Sequence, residues 1–157
     1  MITPPETRLD FFEPGDLTSL VCVDAPEVQR LVVDQLGKLD YKIHTGLFVE
    51  DILLKLRAHV YDVVIVSEQF NGSDLESNAV IAAAVEMPLR QRRRQFVTVL
   101  GGSFQTNDEM QAFQHSVDLV LNVRDAANLK PVLRRGVNRK RELYAPLEHA
   151  IKESQVR

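Results

Sequence analysis

Acids and a hydroxyl gather where two apolar runs end. Asp24 closes the run Ser19–Asp24 (SLVCVD), Ser67 and Glu68 follow the run Asp62–Val66, and Asp74 comes just after the turn Asn71-Gly72. Carboxylates are hard oxygen ligands, so Asp24, Glu68 and Asp74 are candidates for an acidic pocket that holds a cation, with Asp24 and Glu68 as metal candidates. Ser67 is the one candidate nucleophile at a strand tip. Its hydroxyl is neutral near pH 7 and needs a base beside it. Glu68 is adjacent, but on a continued strand it would point to the opposite face. The context Ile65-Val66-Ser67-Glu68-Gln69 is not a Gly-x-Ser-x-Gly elbow. His44, His59, His115 and His149 have no ligand-like spacing. Gly101-Gly102 would let a phosphate approach the backbone at a helix start, and serves equally as a plain strand exit. The reading from these residues is a protein with no catalytic residue, no cofactor and no established metal site.

The net charge of −3 conceals an asymmetry. Residues 1–89 carry 6 Lys/Arg against 15 Asp/Glu, and residues 90–157 carry 13 against 7. The basic half has two foci, Arg90, Arg92, Arg93 and Arg94 in one run, and Arg134, Arg135, Arg139, Lys140 and Arg141 in another. Such clusters contact nucleic acid or an acidic partner, or form solvated helix faces. The lone Cys22 lies inside an apolar run and reads as a small buried hydrophobe. No run approaches the ~18 apolar residues of a membrane helix, and the N-terminus lacks the pattern of a secretory signal, so a cytoplasmic protein with no membrane partner is expected.

The elements that would position these groups alternate. Ser19–Asp24, Tyr41–Thr45, Asp62–Val66, Phe96–Leu100 and Val117–Val123 read as strands, the short apolar ones buried on both faces. Between them lie helical patterns: a first helix from Pro26, a second over Val49–His59, and a third over Ser77–Leu89, ahead of the basic run. A fourth starts at Thr106 or Asn107 as N-cap, and a last region runs from near Ala126. Gly136 and Pro146 lie inside that last region and are expected to weaken or bend it. Strands separated by helix-length crossovers make a parallel sheet with helices on both faces.

This alternation, with acids at strand tips, resembles the receiver domain of bacterial response regulators over about residues 18–143. The resemblance implies a doubly wound, five-stranded parallel sheet in the order 2-1-3-4-5. It also implies a pocket at the strand tips, and in this chain that pocket is degenerate. Ser67 stands where a receiver has its phosphoacceptor aspartate, and Asn71-Gly72 and Asp74 occupy the following turn. Asp24 is the one remaining member of the acidic pair that helps hold magnesium. Gly101 stands in place of a Thr or Ser, with Ser103 two residues late, and Asn122-Val123 stands in place of Lys-Pro. Asn122 brings no positive charge to a transferring phosphoryl group, and Gly101 brings no hydroxyl. The resemblance therefore implies a pseudo-receiver that is not phosphorylated and acts by protein contact in bacterial signalling; the alternative is nucleic-acid binding through residues 90–94 and 134–141.

The expected organisation is an arm or linker over residues 1–17, the receiver-like domain over 18–143 and a helical extension over 144–157. Leu133, Val137, Lys140, Tyr144, Leu147 and Ile151 step at heptad-like spacing. Beyond about Arg141 this stripe outruns what docking on the sheet needs. Tyr144, Leu147 and Ile151, with Arg90, Arg92, Arg93 and Arg94, are the candidate interaction surface. The expected partner is a protein, an attached domain or a second copy paired through the C-terminal helix.

Overall fold

The structure is a computed structural model that describes residues 12–74 and 77–156. It forms a five-stranded, all-parallel sheet in the order β2-β1-β3-β4-β5, as the alternation of runs predicts. The strands are β1 (Leu17–Cys22), β2 (Tyr41–Thr45), β3 (Val63–Ser67), β4 (Phe96–Gly101) and β5 (Leu119–Asn122). The helices are α1 (Pro26–Lys38), α2 (Val49–Ala58), α3 (Ala79–Val85), α4 (Leu89–Arg94), α5 (Glu109–Gln114) and α6 (Leu129–Val156). Short 3-10 turns cover Phe70–Gly72 and Val123–Asn128. Because side chains alternate along a strand, the runs divide into two cores. Leu20, Cys22, Val64, Val66, Val97 and Val99 pack on one face with α2, α3 and α5, and Val21, Val63, Ile65, Leu100 and Leu121 pack on the other with α1 and α6. Cys22 is fully buried, and burial pushes its thiol well above the usual range, so it behaves as the small hydrophobe expected.

The arm expected over residues 1–17 lies largely outside the described residues, Phe11 included. Phe12 is within them and does pack on the domain: its ring stacks on His44 with centroids 4.1 Å apart, beside His59 and Tyr61. The chain then enters β1 through Thr18, whose amide donates to Asp62 Oδ2 at 2.7 Å.

Two local expectations are corrected. The helix expected over Ser77–Leu89 is shorter and is followed by a separate one. Asn78 caps α3, its Oδ1 accepting from the amides of Val80 and Ile81 at 3.1 Å each, and the helix ends before Pro88. Proline disfavours helical conformation in the residue before it, so Met87 breaks the run. The basic segment is then α4, a helix in its own right. At α5 the cap is Asp108, which accepts from the Gln111 amide at 3.1 Å, rather than Thr106 or Asn107. Asn107 instead takes a left-handed φ of 67°. α6 continues through both Gly136 and Pro146, so neither residue ends it. Gly136 is where the helix meets the sheet: a Cβ there would lie 2.8 Å from Cζ of the Phe96 ring. The missing side chain lets α6 lie close over β4, and this packing outweighs the low helix propensity of glycine.

Candidate functional site

The C-terminal ends of β1, β3, β4 and β5 bring Asp24, Ser67, Gly101 and Asn122 to one edge of the sheet, the edge where open parallel sheets bind ligands. Ladder pairing sets Ser67 beside Leu100, and Gly101 beside Asn122.

Apart from the Ser67 hydroxyl, the polar groups there are engaged by neighbouring loops. Asp24 Oδ2 accepts the Asn71 amide at 2.8 Å, and Asn71 holds the turn with a left-handed φ of 60°. Asp74 and Ser77 close a small turn, with the Ser77 amide donating to Asp74 Oδ1 at 2.8 Å and the Asp74 amide donating to Ser77 Oγ at 3.0 Å. Asn78 donates from Nδ2 to the carbonyls of Ser67 (2.9 Å) and Glu68 (3.2 Å), which ties the tip of β3 to the start of α3. Asn122 is buried and works as a clamp. Its Nδ2 donates to the Phe104 carbonyl at 2.7 Å, and its Oδ1 accepts from the Arg124 amide at 2.9 Å. Its own amide donates to Thr106 Oγ1, whose hydroxyl donates in turn to Asp125. The asparagine at the end of β5 therefore orders the loop after β4, a structural role that an ammonium could not fill by accepting from Arg124.

Glu68 directly follows the last residue of β3. Ser67 is paired with Leu100, and the Glu68 carboxylate fills the space that a Cβ on the next residue of β4, Gly101, would take, so Glu68 faces away from Ser67 as strand alternation predicts. Its amide donates to the Leu100 carbonyl at 2.8 Å, and its carboxylate reaches across to the end of β4. Oε1 accepts from the Gly102 amide at 3.1 Å, and the Ser103 hydroxyl lies 3.1 Å from Oε2. Asp24 and Glu68 thus serve two different loops. Among the described residues no group of three or more His, Cys, Asp and Glu side chains is placed to hold a metal ion. Ser67 is half-buried, and its hydroxyl has no hydrogen-bond partner among the described residues.

The basic clusters are split by the fold. Arg92 and Lys140 turn inward onto Asp118: Arg92 Nη1 lies 2.9 Å from Oδ2 and Lys140 Nζ 3.1 Å from Oδ1. Burial lowers the Lys140 pKa, while Asp118 opposes the shift. Arg90 and Arg94 are exposed and Arg93 is half-buried on α4, and Arg139 pairs at the surface with Glu109 at 2.9 Å. Between α4, α5 and α6 lies a groove of about 630 Å³, lined among others by Leu89, Arg93, Phe113, Arg135, Leu143 and Tyr144. Leu89, Phe113 and Leu143 are largely exposed there. Tyr144 and Ile151 are half-buried and Leu147 is exposed on the outer half of α6. Asp118 and Asn78 escaped the sequence reading because their partners are distant in the chain; the only local signal was the capping chemistry of Asn78.

No protein-family model and no curated protein sequence matches this chain. Solved structures do. NtrX from Brucella abortus, in complex with ADP, superposes with a TM-score of 0.65 at 15% identity over 89% of this chain, which spans 30% of that protein. HP1043, an orphan response regulator of H. pylori, gives 0.58 at 16% identity, covering 80% of this chain and 99% of its own. The receiver domain of the sensor histidine kinase PA1611 from Pseudomonas aeruginosa, with magnesium in its active-site cleft, gives 0.60 at 17% identity, covering 79% and 99%. The fold of this chain is the flavodoxin-like fold of response-regulator receiver domains.

Proposed function

We propose that this chain is a pseudo-receiver, a receiver-fold module that takes no phosphoryl group and acts by docking on protein in bacterial signalling. The observation that carries this reading is the state of the strand-tip edge. A neutral serine ends β3, and the acids on either side of it are committed to loop amides. Asn122 at the end of β5 is committed to holding the neighbouring loop. An in-line phosphoryl transfer needs an anionic nucleophile, a hard-ligand metal site and a cation for the developing charge, and the described residues at this edge supply none of the three together.

The docking surface we assign is the outer half of α6 with the groove at its base, and the partner is a second copy of this chain. Leu143 and Tyr144 line the groove, and Leu147 and Ile151 continue the same stripe outward. A stretch of roughly 12 residues beyond the domain is marginal as a helix in water unless its apolar face is covered. Glu148 on that stretch is opposite in charge to Arg93 and Arg135 at the groove. Deleting residues 142–157 should convert a dimer to a monomer in light scattering while leaving the α/β circular dichroism intact, because Leu129 and Leu133 remain to dock on the sheet. A full-length chain that stays monomeric at high concentration contradicts the self-association. Binding to generic DNA or RNA that falls steeply with salt would favour the nucleic-acid reading instead.

A further inference from the structure

The loop leaving β4 is built around an anion, and the anion is supplied by the chain itself. The Gly102 amide donates to Glu68 Oε1 at 3.1 Å, and the Ser103 hydroxyl lies 3.3 Å from Oε1 and 3.1 Å from Oε2. Gly101 completes the seat. A Cβ at that position would overlap Oε1 and Cδ of Glu68, so the carboxylate fills the space that any other residue's side chain would take. Glu68 is itself aimed from both sides: its amide is held by the Leu100 carbonyl and its carbonyl by Asn78 Nδ2. A backbone amide, a hydroxyl and a cleared space converging on one carboxylate are the elements of a small oxyanion site.

We infer that Gly101–Ser103 is a carboxylate-binding cradle whose resident ligand is the side chain of Glu68, and that this internal ligand holds the β4–α5 loop in one setting without any incoming group. The cradle is one end of a chain of bonds. Phe104 and Thr106 are held by Asn122, and the Asn107 amide donates to the Val120 carbonyl at 3.0 Å. Asn107 and Asp108 then reach the rim of the groove between α4, α5 and α6. Glu68 therefore fixes a loop that ends at the proposed docking face, and the cradle stands on its own geometry whether or not that face binds a second copy.

Amide exchange and chemical shifts on the full chain test this. Gly102 in Glu68→Ala should exchange about tenfold faster than in wild type, the loss expected for a hydrogen bond to a charged acceptor. Sodium acetate titrated into Glu68→Ala should shift the Gly102 and Ser103 amides saturably and leave wild type unmoved, because there the seat is taken. Gly101→Ala retains Glu68 but fills the seat with a methyl group, so it should lose the Gly102 protection and bind no acetate. Glu68→Gln, which keeps a neutral acceptor in place, should fall between wild type and Glu68→Ala in protection. Equal Gly102 protection in wild type, Glu68→Ala and Gly101→Ala overturns the inference. So does acetate that shifts wild type and Glu68→Ala alike.

Discussion

Val64→Asp is expected to abolish the cooperative folding of this domain. Val64 is fully buried in β3, the middle strand, paired in register with Leu20 of β1 and Val97 of β4. Its side chain faces the core shared by Val66, Val97 and Tyr61, and Lys55, the buried cation of the neighbouring α2, is already held by Asp51 at 2.6 Å. A buried, unpaired charge costs several kcal/mol, against a total stability of about 5–15 kcal/mol for a domain of this kind. The control is Val64→Ala, which removes volume without adding charge and should cost about 2–3 kcal/mol. Thermal melts followed by circular dichroism distinguish the two. A soluble Val64→Asp protein melting cooperatively at the wild-type midpoint would mean that β3 is not the centre of the sheet.

The second large effect is expected at Asp118, just before β5. Its carboxylate accepts from the Val97 amide at 2.8 Å and from Arg92 and Lys140, joining β4, α4 and α6 at a single point. The side chains of this triad are 14–17% exposed. Asp118→Ala would leave two cations facing each other in a half-dry site and one amide without its acceptor. Breaking a buried pair costs about 3–5 kcal/mol; with some water still reaching each group, about 2–4 kcal/mol is expected here. Urea denaturation should show this as a lower midpoint with an unchanged slope. Adding Lys140→Met to Asp118→Ala should recover part of the loss, because it removes one of the uncompensated charges. Strictly additive effects would show that the two groups are not coupled.

The parallel sheet was legible because its strands are short apolar runs separated by helical patterns, and burial on both faces leaves such runs little else to be. Strand order came from the receiver resemblance, which rested on the tip of β3 and on single residues at the ends of β1, β4 and β5. What escaped was set by contacts distant in the chain. Glu68 read only as a neighbour of Ser67 that faces away from it, because the groups that its carboxylate meets, the Gly102 amide and the Ser103 hydroxyl, are 34 and 35 residues along the chain. Gly101 then read as a lost hydroxyl, whereas it clears the space for the Glu68 carboxylate. Gly136 read as a weak point in α6 because propensity is local, while the Phe96 ring that requires glycine there belongs to β4. The basic run looked like one surface, yet Arg92 is drawn inward by an aspartate 26 residues away. Charge counting cannot distinguish a guanidinium that faces water from one that staples a helix to a strand.

The claim that this edge of the sheet takes no phosphoryl group is tested most directly by treating wild type and Ser67→Asp with acetyl phosphate, or with beryllofluoride, in the presence of magnesium. Intact-mass spectrometry reads the adduct and amide NMR reads the response. Wild type should keep its mass and show no magnesium-dependent shifts at Asp24, Ser67 or Gly101. Ser67→Asp restores a carboxylate beside Asp24 but leaves Gly101 and Asn122 as they are. Any adduct it forms should therefore produce no shifts propagating to Asn122. A phosphoryl adduct on the wild-type chain, or magnesium-dependent shifts clustered at Asp24, Ser67 and Gly101, would contradict the account.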